Sequence, residues 1–244
     1  IIISIGDLIH RFPIITEPYT QNLYQNLQDE SAAVRKTTLM VITHLILNDM
    51  LKLRGEISDI ALLFDDPEHK IQGLVKLFFH ELHKKDSKAI YNLLPEAIGR
   101  LSRMPTVNET VFQNFARNVM QYLEKEKYSE TLVDKLTSRI ANSDNEKDWR
   151  NSAYCLSLLQ YNEKSIRKLV DNFEFYREKL ADDEINEYFK NLLTKFKKMG
   201  RAETKILVDE FESKLTNYMK EGVEPKRKVP EKKKKGKGRG AASQ

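Results

Sequence analysis

Apolar residues recur at helical intervals along most of the chain, most densely in VRKTTLMVITHLILNDMLKLRG, residues 34–55. Val34, Thr38, Val41, Ile42, Leu45 and Ile46 share one stripe, because a period of about 3.6 residues returns every third or fourth side chain to the same face. Leu39, Met40, Leu47 and Met50 widen that stripe beyond what a surface helix needs. A helix apolar over so much of its circumference is expected to be covered on more than one side by neighbouring helices. Gly55 stands where its C-terminal turn is expected.

The pattern repeats. Leu8, Leu45 and Leu82 are spaced by 37 residues, as are Ile5, Ile42 and Phe79, and as are Ile1, Thr38 and Val75. The helix before each keeps the same register, since Leu23 and Leu27 map onto Ile60 and Phe64 and then onto Ala97 and Leu101. Turn residues follow, with Asp29 five positions before Val34 and Asp66 five before Ile71. Self-similarity of a two-helix unit near this length predicts an all-α fold, an α-solenoid of HEAT- or armadillo-like hairpins. Each hairpin then buries its apolar face only by stacking on the next.

Regular repeats are expected over residues 1–104. Pro13 ends the first helix, and Pro18 suits the first turn of the next, where its missing N–H costs nothing. Met104-Pro105 interrupts the register. Over 105–220 the apolar pattern predicts helices near 108–124, 129–140, 145–159, 163–173, 182–199 and 202–219, without a clean 37-residue echo. They read as degenerate repeats or a terminal cap. Ser143 and Glu146 have capping-box spacing ahead of the single tryptophan, Trp149. From 221 to 244 the apolar pattern vanishes and Lys, Gly and Pro dominate, so a disordered Lys-rich tail is expected.

Composition adds a division of charge. The net charge of +5 and pI near 9.0 arise from residues 226–244, where nine basic residues face one acid, Glu231. The body is slightly acidic and will not hold nucleic acid by bulk charge. No run approaches the ~18 apolar residues of a membrane span. One cysteine, Cys155, allows neither an internal disulfide nor a CxxC metal site and suits a reducing compartment. The chain starts with Ile, which suggests a piece of a longer protein.

Catalytic chemistry has little support. His80-Glu81-Leu82-His83 is one residue short of the HExxH zinc motif, and Leu82 lies on the core stripe. The pairs Asp65-Asp66 and Asp182-Asp183 precede helices, where capping explains them. No phosphate loop, GxSxG elbow or kinase signature occurs, so no catalytic residue, metal, cofactor or small-molecule substrate is assigned. Charge points instead to binding. Lys226, Arg227, Lys228, Lys232, Lys233, Lys234, Lys235, Lys237 and Arg239 form two basic clusters that suit a nuclear localisation signal or a phosphate-binding arm. Lys195, Lys197, Lys198, Arg201 and Lys205 surround a helix end, as a solvated, dipole-complementing end or as a phosphate contact. Arg35-Lys36, Lys52 and Arg54 read as a solvated basic edge.

VRKTTLMVITHLILNDMLKLRG over residues 34–55, followed by KLFFHELHKKDSKAIYNLLPEAIGRLS over residues 76–102, closely resembles the C-terminal region of the HEAT-repeat subunit of condensin usually numbered subunit 1. The resemblance is closest over 1–102 and extends over 106–219. One departure is visible: Val34-Arg35 becomes Ile71-Gln72, so a continuous Asp-Arg ladder between repeats is not expected. The resemblance implies a scaffold assembled with two SMC ATPases, a kleisin and a second HEAT subunit, contacting DNA or chromatin, histones included, with ATP turnover left to the SMC chains. It places the protein in the nucleus and on mitotic chromosomes, with a cytoplasmic pool and no membrane. The alternative is a nuclear transport or trafficking solenoid that binds extended peptides.

Overall fold

The computed structural model describes residues 1–53, 55–123, 126–199 and 202–220, and all regular structure among them is helical. Helix α1 (Ile2–Arg11) stops at Phe12 because Pro13 disfavours helical backbone in the residue before it. Pro13 instead opens the short α2 (Pro13–Thr16). A 3-10 turn holding Pro18, then α3 (Thr20–Gln25) and a second 3-10 turn, lead to Asp29. The Asp29 carboxylate accepts the Ser31 N–H at 2.8 Å, turning the chain into α4 (Ala32–Leu47).

Helix α4 is shorter than its apolar pattern predicts. It ends at Leu47, and Asp49 takes a φ of 59°, the left-handed conformation that closes a helix. Gly55 therefore lies in the next turn, ahead of α5 (Ile57–Leu62). The order continues with α6 (His69–Lys85), α7 (Ala89–Arg103), α8 (Glu109–Met120), α9 (Glu126–Asn142) and α10 (Glu146–Leu158). It closes with α11 (Glu163–Asp171), the single turn α12 (Phe173–Tyr176), α13 (Asp183–Met199) and α14 (Ala202–Lys220).

These helices form two layers of a repeat solenoid. In one, α1 packs on α4 and α4 on α6, and further along α8 packs on α10 and α10 on α13. In the other, α5, α7, α9, α11 and α14 pack in sequence. One apolar core runs between them from Ile9 to Leu215. The equivalent residues Leu23, Ile60 and Ala97 are all buried, as are Leu27, Phe64 and Leu101. Leu45 and Leu82 are 1% and 5% exposed, whereas Leu8 is 50% exposed, because α1 has a layer neighbour on one side within this chain and α4 has one on each.

The 37-residue spacing continues past Met104-Pro105, with residue types that drift. Val75, Phe79 and Leu82 on α6 map 37 residues on to Phe112, Ala116 and Val119, and again to Trp149, Ala153 and Leu156. All but the half-buried Trp149 lie in the core. A further 36 residues gives Ile185, Phe189 and Leu192 of α13, all buried. Residue types drift along this series while position does not, which hides the echo. The interruption at Met104-Pro105 is an offset: α8 leans on the α5 segment, where the Asn114 amide donates to the Phe64 carbonyl at 3.1 Å.

Capping also differs in two places. Asn145, not Ser143, caps α10, accepting the Lys147 N–H, and the reciprocal capping box lies at Asn162 and Ser165 ahead of α11. Asp182 does cap, accepting the Glu184 and Ile185 N–H groups, whereas Asp66 lies two residues before the N-cap Glu68 of α6 and accepts the Glu68 N–H in a turn instead of capping the helix.

Candidate functional site

Polar side chains tie successive repeats at both ends of the helices. At one end, the Arg35 guanidinium on α4 grips Asp66 in the turn before α6 through Nε–Oδ2 at 2.7 Å and Nη2–Oδ1 at 3.0 Å. It also donates to the Asp29 and Glu30 carbonyls. Arg150 on α10 makes the equivalent pair with Asp182 before α13, its Nη2 and Nε both donating to Oδ2 at 2.6 and 3.1 Å. At Gln72 the ladder lapses as expected, the amide turning back to the Asp66 carbonyl at 2.7 Å.

Lysines close the other end. Lys85 on α6 donates to the Ile46 and Leu47 carbonyls at the C-terminus of α4 and pairs with Asp49 at 2.6 Å. Lys195 on α13 donates to the Leu159 carbonyl beyond α10 at 2.9 Å, and Lys214 on α14 to Val170 on α11 at 3.2 Å. A helix C-terminus leaves carbonyls without intrahelical partners and carries partial negative charge, so an ammonium satisfies both. The pairs α4/α6 and α10/α13 are thus stapled at both ends.

These contacts sort the lysines singled out from sequence. Lys195 is half-buried in a staple, and burial lowers its pKa from 10.5. Lys197 pairs with Glu212 at 2.7 Å, which leaves Lys198 and Lys205 as exposed cations of that group. Arg201 and the basic cluster 226–239 lie outside the described residues, as does Arg54. Arg35 belongs to a staple, while Lys36 and Lys52 are exposed.

Two aspartates show how local geometry sets charge. Burial pushes the Asp182 carboxyl up, but the Arg150 hydrogen bond and two backbone N–H donors outweigh it and hold the pKa below 3.8. Burial dominates at Asp59, where one Arg100 bond at 2.9 Å, opposed by Glu56, leaves the pKa raised. His80 and His83 face the Tyr122 ring, with His83 at 5.3 Å between centroids. No group of three or more His, Cys, Asp or Glu suited to a metal occurs among the described residues. Cys155 is fully buried, and that burial raises its thiol pKa, which makes it a poor nucleophile.

The α1–α4–α6 layer also presents an apolar row that sequence reading missed. Ile3, Met40 and Leu77 occupy equivalent positions 37 residues apart and are 64%, 53% and 53% exposed. Met40, one of the residues that widen the apolar stripe of α4, thus faces outward. Between α1 and α4 the row dips into a groove of about 370 Å³ lined by Ile3, Asp7, His10, Met40 and His44. Its floor is shallowest in side chain at Gly6, where a Cβ would meet Val41 at 2.7 Å, so the two helices approach closely there. The signal was present in the sequence: the same 37-residue spacing, on positions outside the core stripe.

Residues 1–157 match the sequence profile of a family described as non-SMC mitotic condensation complex subunit 1. The chain belongs to that family. It is 42% identical over 226 residues to the Condensin-1 complex subunit CAP-D2 of Arabidopsis thaliana, covering 91% of this chain. Identity is again 42% to Condensin complex subunit 1 of Xenopus laevis over 92% of this chain, and of Homo sapiens over 88%. The chain spans 16%, 16% and 15% of the length of these three relatives. Among solved structures, an engineered protein aligns with 86% of this chain and 88% of its own, at a TM-score of 0.34 and 12% identity.

Proposed function

We propose that this part of a condensin subunit 1 is a non-catalytic scaffold that binds kleisin and SMC partners and DNA or chromatin during mitotic chromosome condensation. The observation that supports it most is the staple at both ends of successive helices. Such stapling stiffens a repeat stack and leaves its long faces free for partners, which is how solenoids act. In this reading ATP turnover belongs to the SMC chains. The protein resides in the nucleus and on mitotic chromosomes, with a cytoplasmic pool, and forms its assembly with a second HEAT subunit.

Phosphate contact is assigned to Lys198, Lys205 and the 226–239 cluster. Nine closely spaced cations release counterions as they neutralise phosphates, so binding falls steeply with salt. The tail carries no aromatic residue, and the reading is therefore sequence-independent contact. Affinity purification of the full-length protein tests the scaffold role: SMC and kleisin chains are expected in the eluate. Recovery of transport cargo and a Ran-type GTPase in their place overturns it.

A further inference from the structure

We propose that the exposed row Ile3–Met40–Leu77 is a docking face for an acidic, amphipathic helix of a partner chain. This deepens the scaffold reading and rests on it. Three features of the face point to that occupant.

First, the row is built by the repeat. One exposed large apolar side chain is placed at the same position on each of α1, α4 and α6, so the three form a line along the stack. Packed helices lie about 8–10 Å apart. Seven residues of an α-helix rise about 10.5 Å, so apolar side chains at i, i+7 and i+14 of one ligand helix meet all three positions. Scattered surface hydrophobics need no explanation, but a contiguous line beside a groove does.

Second, the charge beside it has one dominant sign. Lys36 is one turn before Met40, Lys70 two turns before Leu77, and Lys84 two turns after it, so all three share the exposed face of the row. Lys76 adjoins Leu77. Helix α4 contains no Asp or Glu, and α6 contains one, the half-buried Glu81. Asp7 on α1 is the exposed acid at the row's other end. Carboxylates on the ligand flanking its apolar stripe meet this field over α4 and α6.

Third, Gly73 sits on the same face, one turn from Leu77 and at the position equivalent to Lys36. A Cβ there would meet nothing within 4 Å. Glycine inside a helix weakens it, and no packing among the described residues requires one here. A ligand helix crossing α6 does, because a missing side chain lets its backbone approach.

The test uses the full 244-residue chain and a fluorescein-labelled 18-residue peptide with Leu at i, i+7 and i+14 and Glu and Ala elsewhere, compared with the same peptide carrying Lys for Glu. Anisotropy is expected to show binding of the Leu/Glu peptide and at least tenfold weaker binding of the Leu/Lys peptide. Gly73→Leu and Met40→Asp are each expected to weaken binding tenfold or more without lowering Tm, since both sites are open to solvent. Lys36→Glu combined with Lys70→Glu is expected to reverse the preference. Binding of the Leu/Glu peptide that stays within twofold in Gly73→Leu, or equal binding of both peptides, overturns the docking face. So does binding that duplex DNA displaces equally in the parent and in Met40→Asp. Failure here with SMC and kleisin chains still recovered removes this face alone; peptide binding without that recovery removes the scaffold assignment alone.

Discussion

Arg35 and Asp66, 31 residues apart, meet through two parallel N–H···O bonds of 2.7 and 3.0 Å that join one repeat to the next. Asp66 is 4% exposed, so its charge is taken from water and returned to the guanidinium and to the Glu68 N–H. Bidentate charge-assisted bonds are the strong class, and removing one partner strands the other. Asp66→Ala is expected to lower stability by about 2–3 kcal/mol. Urea unfolding of the two single variants and of the double variant with Arg35→Ala should show strongly non-additive losses. Additive losses would mean that the bonds carry no coupling.

Acid should loosen the far end of the stack through Asp182. Its folded pKa lies below the ordinary 3.8, so its contribution is fully present above about pH 4 and is lost as pH falls through the folded value. Asp182→Asn is expected to flatten the fall of Tm between pH 4 and pH 2 relative to the parent. An unchanged slope would assign acid lability to other carboxylates.

Gly99 is required by a neighbour. A Cβ there would lie 1.7 Å from Nη2 of Arg139, whose Nε is held by Asp148 at 2.7 Å and whose Nη1 donates to the Pro95 carbonyl at 3.0 Å. Gly99→Ala must displace that guanidinium and is expected to cost about 1–3 kcal/mol. Added to Arg139→Ala, the same substitution should cost almost nothing. Thermal unfolding of the four-member cycle measures this, and a full second loss would show that Gly99 acts independently of Arg139.

The lysines should separate by role. Lys195→Met removes the donor to the Leu159 carbonyl and is expected to lower Tm while leaving affinity for a short duplex unchanged at 50 mM salt. Lys198→Ala with Lys205→Ala is expected to weaken that affinity while leaving Tm alone. Deleting 226–239 should weaken duplex binding more, flatten its salt dependence and reduce nuclear accumulation. If Lys195→Met alone weakens the duplex, the staple assignment is wrong.

Aromatic packing in the regular repeats should dominate their stability. Phe79 is fully buried, stacked on Phe64 at 5.1 Å and set edge-on to Phe78 at 5.2 Å. Phe79→Ala is expected to cost about 3–5 kcal/mol, read from the urea midpoint. A loss under about 1 kcal/mol would show that the neighbouring hairpins collapse into the space.

The repeat was legible in sequence where residue type and position agree. Leu23 and Leu27 and their counterparts Ile60, Phe64, Ala97 and Leu101 are all apolar, and all are buried. Past Met104 the series passes through Phe112, Trp149 and Ile185, of unlike size, so position alone carries the repeat and only coordinates reveal it. The end of α4 was missed for a different reason. Apolar periodicity continues through Met50 and Leu51, but Asp49 adopts left-handed backbone that glycine usually supplies.

What the order of residues determined by itself is the unit: a helix pair of about 37 residues whose apolar stripes cannot be shielded singly, since periodicity is a local property of the chain. What only the tertiary structure decided is which polar groups hold the units together and which remain outward. Lys195 and Lys198 lie on the same helix, yet one meets a carbonyl from the preceding repeat and the other meets solvent. That choice depends on a partner 36 residues away along the chain, brought within 2.9 Å by stacking, and no local pattern encodes such a distance.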